Sequence, residues 1–194
     1  MPRIAIIVGS TRPGRNATAV SEWVLHHASQ RSDATFDVLD LAHFDLPVLD
    51  EPVPASMGQY QHSHTKRWAA AVDSYDGFVF LTPEYNHSTS GALKNAIDFI
   101  YGEWNNKAAG FVSWGSAGGV RAVEALRLIA GELQIADVRA QVSFFLATDF
   151  VNYSEFTPAG RHVADLDAML DQLVAWSTAL AGVRSAQELE AQAA

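Results

Sequence analysis

Short runs with no polar side chain recur along this chain: IAIIV at residues 4–8, FVFL at 78–81 and AAGFV at 108–112. A strand of this composition is buried on both faces, as in a parallel sheet covered by helices on either side. Each run leads through a loop into a segment whose apolar residues repeat at helical spacing. Ala17, Val20, Val24 and Ala28 share one face while Ser21, Glu22 and Gln30 fall off it, which predicts a helix to about residue 30. The same periodicity groups Trp68, Ala71 and Val72 in 60–75, Leu93, Ala96, Ile97 and Ile100 in 91–104, and Val120, Val123, Ala130 and Leu133 in 119–133. Residues 35–41 and 138–146 read as the remaining strands, and Val163, Leu166, Leu170, Leu173, Ser177 and Leu180 keep helical phase in a final helix. Five strands alternating with five helices predict an α/β, doubly wound parallel sheet, because parallel crossovers need a covering element and run right-handed. The expected organisation is one domain over residues 1–183, with 184–194 as a flexible C-terminal tail.

Composition narrows the chemistry. A net charge of -9 disfavours nucleic acid, whose binding draws on Lys and Arg. The absence of cysteine removes disulfides, thiolate catalysis and Cys-ligated metals. The chain enters its first strand directly after Pro2, without a signal-like segment or a membrane-length apolar run, so the expectation is a soluble cytoplasmic protein with no membrane partner.

In an open doubly wound sheet, ligands sit beyond the carboxyl ends of the strands where strand order reverses. The loops to read together are therefore GSTRPGRN (9–16), TPEYNHSTSG (82–91) and SWGSAGG (113–119). In the first, Gly9 and Gly14 have P-loop spacing, but Arg15 and Asn16 stand where the phosphate-binding Lys and the magnesium-binding hydroxyl belong. Nor does it supply the three glycines of a dinucleotide fingerprint. What remains is a turn rich in hydroxyls and arginines that feeds a helix N-terminus, suited to a terminal phosphate dianion held without metal. Ser10, Thr11, Arg12, Arg15, Asn16 and free amides are the candidate donors; the alternative is a solvated, well-capped turn. In the second loop Pro83 stiffens the strand exit and Glu84, Tyr85 and Asn86 offer a carboxylate, a ring suited to stacking on a heterocycle, and an amide. The third is nearly free of side chains over GSAGG, so its amides can approach a ligand edge.

The same residues carry a resemblance. GSTRPGRN, TPEYNHSTSGALKNAID (82–98) and EWNNKAAGFVSWGSAGGVRAVEALR (103–127), in this order and spacing, resemble the NADPH-dependent FMN reductases of flavodoxin-like fold, a family that includes quinone, azo-dye and chromate reductases. The resemblance implies a five-stranded sheet of order 2-1-3-4-5. It implies FMN phosphate at Ser10, Arg12, Arg15 and Asn16, isoalloxazine and ribityl contacts from Pro83, Glu84, Tyr85 and Asn86, and an approach of Ser113, Gly115 and Ser116 to the flavin's other edge. It further implies NADPH or NADH as hydride donor to flavin N5, a small electron acceptor (quinone, azo compound, metal oxyanion or free flavin), and a homodimer or homotetramer with the LKNAID helix near the contact. Catalysis then falls to the cofactor, with no catalytic side chain and no metal site. A flavodoxin-like electron carrier reduced by a partner protein is the alternative. Ser90 departs from the resemblance, standing where such sequences often have proline, and predicts a looser loop.

Other polar groups are set aside. His62 and His64 form H-x-H without a completing ligand and read as helix-surface residues; Asp50 and Glu51 read as solvent-facing. His87 follows the second loop, as a substrate contact or a loop hydrogen-bonding group. Glu103 and Trp104, at a helix end, are expected to build a subunit contact or brace a loop.

Overall fold

The computed structural model describes residues 1–193. Strands β1 (Arg3–Val8), β2 (Thr35–Asp40), β3 (Gly77–Pro83), β4 (Ala108–Gly115) and β5 (Ala136–Phe145) form one parallel sheet in the order β2-β1-β3-β4-β5. β3 and β4 are buried along their whole length, whereas the edge strands β2 and β5 are partly exposed, matching the apolar runs of the centre. Strand alternation divides the interior in two. Ile4, Ile6, Val8, Val79 and Leu81 face helices α1 (Ala17–Ala28) and α5 (Arg161–Ala193), meeting Val20, Val24, Leu166, Leu170 and Leu173. Ala5, Ile7, Phe78, Phe80 and Phe111 face α2 (Ser63–Asp73), α3 (Gly91–Asp98) and α4 (Val120–Glu132), meeting Trp68, Val72, Leu93, Ile97 and Leu126. The helices thus cover both faces, and the fold is flavodoxin-like as expected.

Three features depart from the sequence reading. α3 ends at Asp98, and Trp104 lies in a separate 3-10 turn, fully buried, with its indole N–H donating to Ile97 O at 3.2 Å. Between β5 and α5 a small hairpin intervenes, β6 (Phe150–Val151) paired antiparallel with β7 (Glu155–Phe156). Finally, the boundary expected at residue 183 falls inside α5, which continues to Ala193. The segment is rich in the good helix formers Ala, Glu and Gln. It is also anchored: Arg184 pairs with Asp76 and donates to Asn106 O at 2.9 Å.

Candidate cofactor site

β1 and β3 are neighbours in the sheet but not in the chain, and their connections leave toward opposite faces, which opens a crevice at their carboxyl ends. A cleft of about 300 Å³ lies there, walled by the loops after β1, β3 and β4. Ser10, Arg12, Arg15, Asn16, Pro83, Glu84, Tyr85, Gly115 and Ser116 all line it.

At the β1 end, Gly9 allows the chain to turn against β3. Its N–H donates to Leu81 O at 2.9 Å, and a Cβ at this position would stand 2.6 Å from that same oxygen. Among the described residues, no protein acceptor takes the backbone N–H groups of Thr11, Arg12, Gly14, Arg15 or Asn16. Asn16, the N-cap of α1, makes no side-chain cap bond. A helix N-terminus and a row of unspent amides, in a loop whose Ser10, Arg12, Arg15 and Asn16 line the crevice, form the donor set an anionic group requires, and a phosphate monoester suits it without metal. Among the described residues no cluster of metal-ligating side chains is present.

The two arginines of this loop behave differently. Arg15 is mostly buried and paired through both guanidinium branches with Asp40, one contact at 2.9 Å, while also donating to Ser10 O. Its charge is matched internally, so its main work is to shape the loop. Arg12 is exposed on the cleft and, among the described residues, has no acidic partner within ion-pair distance. The Asn16 side chain, which lines the cleft, spends one of its two N–H groups on Tyr153 O at 2.9 Å.

The second loop is a tight turn: Tyr85 and Ser88 exchange backbone bonds of 2.9 and 3.1 Å around Asn86 and His87, both with positive φ. That is the turn geometry asparagine tolerates well. It places Tyr85 on the cleft, its hydroxyl 3.3 Å from Ser10 Oγ, and turns Asn86 and His87 outward, so Asn86 does not line the cleft. The base of the loop is pinned by Thr82 Oγ1 and Thr89 Oγ1 at 2.8 Å. Ser90 tightens it further: its hydroxyl donates to Gly9 O and accepts from Leu93 N–H at 3.1 Å, capping α3 and tying it to the first loop. The looser loop expected from Ser90 is therefore not found.

Glu84 is a brace. Its largely buried carboxylate accepts from Arg121 N–H at 3.1 Å and from the Arg121 guanidinium at 2.9 Å, satisfying the first turn of α4. In the third loop Ser113 is fully buried and donates to Gly118 O at 2.7 Å, so it cannot reach a ligand and instead shapes the glycine turn. Gly119 ends that turn with φ +74, where a Cβ would lie 2.7 Å from Trp114 N and from Ser113 Cβ, so no larger residue fits. The turn leaves the amides of Ser116 and Ala117 without a protein acceptor among the described residues.

Trp114, Leu146 and Tyr153 also line the cleft; Trp114 lies within the third loop read from the sequence, whereas Leu146 and Tyr153 do not. For Tyr153 a signal exists: Phe150-Val151 and Glu155-Phe156 flank an asparagine-led turn.

The histidines set aside are not idle surface groups. His62 and His64 stack at 5.2 Å, and His64 Nε2 lies 2.9 Å from Asp50 Oδ1. Glu51, partly exposed as expected, accepts the N–H groups of Gln61 and His62 at 2.9 and 3.0 Å and closes the proline-rich loop. Glu103 accepts the Tyr60 hydroxyl at 2.8 Å, the loop-bracing outcome.

Comparison with known proteins agrees with this geometry. The sequence matches the NADPH-dependent FMN reductase family over residues 2–149. The chain belongs to that family. It is 40% identical over 159 residues to an NAD(P)H-dependent FMN reductase of Nectria sp., covering 77% of this chain and 79% of the relative. To a protein of Oryza sativa subsp. japonica described as a probable NADPH:quinone oxidoreductase it is 30% identical over 166 residues, 79% of this chain and 70% of that one. Among solved structures, the flavoenzyme NAD(P)H:(acceptor) oxidoreductase of Paracoccus denitrificans superposes with a TM-score of 0.69 at 22% identity, over 89% of this chain and 97% of that chain, a likeness of fold. As an FMN reductase family member the chain has its matched region ending at Asp149, so the β6–β7 hairpin and α5 lie beyond it.

Proposed function

We propose that this protein is an NAD(P)H-dependent FMN oxidoreductase that reduces a small acceptor, with quinones first among the candidates because relatives of this family carry that description. The observation that carries the reading is the meeting, in one cleft, of an uncapped helix N-terminus and unspent loop amides with Pro83, Tyr85, Trp114 and Gly115. When bound, FMN would supply the hydride-accepting ring. The chain supplies everything that places it.

The amides of Thr11, Arg12, Gly14, Arg15 and Asn16 and the Ser10 hydroxyl would hold the phosphate, with Arg12 adding the one loop charge not matched by an acid among the described residues. Charge-assisted bonds of this kind contribute about 1.5–3 kcal/mol each. The small residues of the third loop let backbone approach the ring edge, and the Ser116 and Ala117 amides favour negative charge there. Tyr85, exposed at the rim, bounds the space in which nicotinamide and acceptor would take turns. No protein acid or base is needed for hydride transfer, and no catalytic side chain is assigned. The working unit is proposed as a single FMN-binding domain in a homodimer or homotetramer acting in the cytoplasm.

Reconstitution with FMN followed by anaerobic addition of NADPH or NADH tests the reading. Bleaching of the bound flavin within seconds, and reoxidation by a quinone, is expected. A protein that binds FMN but stays yellow until a partner reductase is added would instead be an electron carrier.

A further inference from the structure

The hairpin beyond the matched family region brings one more side chain to the cleft. Tyr153 lies on its rim, is 69% exposed, and holds φ +61 next to Asn152 at φ +50. The pair forms the tip of a tight hairpin turn closed by Ser154 N–H donating to Val151 O at 3.1 Å, a geometry that asparagine tolerates and that at its second position favours glycine over an aromatic residue.

Contacts at its base and at its tip then hold this turn in place. At the base of the hairpin, Asp149 gathers its two ends. Its carboxylate accepts Phe145 N–H at 2.8 Å, Ala159 N–H at 3.4 Å and a bond from buried His162 at 2.9 Å, and its carbonyl accepts Thr157 N–H at 2.8 Å. Phe156 packs edge-on against Phe144 and Trp23, which fixes the inner side. At the tip, Asn16 donates to Tyr153 O at 2.9 Å, and Asn16 is the N-cap of the very helix that ends at the phosphate loop. The hairpin is therefore an arm braced at its base whose tip is tied to Asn16, at the loop end of the cleft. Nothing in the arm's own folding calls for a large aromatic ring there, since glycine would relieve the backbone and an exposed ring gains little from burial.

We propose that Tyr153 is a cofactor-binding residue that covers the phosphate end of bound FMN, with Asn16 as the positioning residue that holds it there. The inference rests on the FMN reading above. By keeping water from the phosphate, the ring strengthens the bonds that the loop amides and Arg12 make to it, and so slows release of the cofactor. Riboflavin, which has no phosphate, gains nothing from this cover.

The test compares wild type, Tyr153→Gly and Tyr153→Phe as apoproteins, titrated calorimetrically with FMN and with riboflavin, alongside the thermal midpoint of each apoprotein. Tyr153→Gly is expected to weaken FMN binding at least tenfold, to leave riboflavin binding within about twofold, and to leave the midpoint equal or higher because backbone strain is relieved. Tyr153→Phe retains the ring and should bind FMN within about threefold of wild type. FMN binding by Tyr153→Gly as tight as wild type overturns the proposal while leaving the FMN reading intact. Equal losses for FMN and riboflavin with a lowered midpoint also overturn it, by making Tyr153 a structural residue. Wild-type protein that binds neither flavin would overturn the FMN reading itself.

Discussion

Asp40 pairs with Arg15 of the first loop and Glu84 with Arg121 of α4, so both carboxylates are already engaged by arginines. Asp40 neutralises Arg15 at a mostly buried position beside the phosphate loop, so Asp40→Asn should raise the local positive potential. We expect FMN to bind several-fold more tightly to that variant at low salt, with the gain shrinking as salt is added, while stability falls by about 1–3 kcal/mol for the unpaired guanidinium. Flavin titrations at two ionic strengths and a denaturant melt measure both. Glu84 poses a different question, because its carboxylate meets an amide N–H and a guanidinium at once. The guanidinium is half exposed, and such pairs contribute at most about 1 kcal/mol, whereas a lost helix cap costs about 0.5–2 kcal/mol. Glu84→Gln keeps an acceptor for the Arg121 N–H and should lose little stability in urea; Glu84→Ala should lose about 1–2 kcal/mol. Equal losses in the two variants would show that the ion pair, not the cap, dominates. These roles are not legible in the sequence. Glu84 and Asn86 sit in a loop that reads as ligand-facing throughout, and only the turn geometry decides which side chains face the cleft and which turn away.

The elements themselves are more legible than their ends. Apolar runs identify the central strands, and helical spacing identifies the helices, because burial on a covered sheet imposes both patterns directly. The β6–β7 hairpin escapes because two-residue strands carry no period, and the continuation of α5 escapes because its outer turns are held by long-range contacts through Arg184 rather than by an apolar stripe. Lys107 shows such a contact between elements. It is buried at the start of β4, donating to Val72 O and Asp73 O at 3.1 and 3.0 Å, and so satisfies the C-terminal carbonyls of α2. Burial lowers its pKa to about 8, against the pull of Asp73. Between pH 8 and the ordinary lysine value of 10.5 the unfolded chain binds a proton that the folded chain does not, so this group's contribution to stability rises with pH across that window. Below it both states are protonated and the cost of burying the charge is carried in full, on the order of a few kcal/mol. Lys107→Met should flatten the stability profile over this window relative to wild type, measured by urea unfolding at several pH values. Parallel profiles for the two proteins would mean that the ammonium is not desolvated as its burial implies.

At the scale of the whole molecule, the cleft is assembled from segments that meet only because strand order reverses between β1 and β3. Residues 9–16, 83–88 and 113–119 are far apart in sequence, yet each leaves the same edge of one sheet, which is why a fold-level reading locates the site without knowledge of its side-chain roles. Direct ties already join these loops without ligand: Ser90 to Gly9, Tyr85 to Ser10, Glu84 to Arg121 and Asn16 to the hairpin. The scaffold is thus preorganised, and FMN would add bonds chiefly to amides that have no protein acceptor among the described residues. Two consequences follow from that arrangement. FMN at 100 times its dissociation constant should stabilise the protein by about 2.7 kcal/mol, as mass action requires for a ligand that binds only the folded state. The second is where protection appears. Hydrogen exchange should slow at the amides of 11–12, 14–16 and 116–117 together on adding FMN, while amides already spent in the sheet change little. Riboflavin should protect 116–117 but leave 11–12 and 14–16 exchanging, because only the phosphate engages the helix end. Protection by riboflavin at both loops, or by FMN at neither, would separate the unspent amides from cofactor binding and remove the physical basis of the assignment.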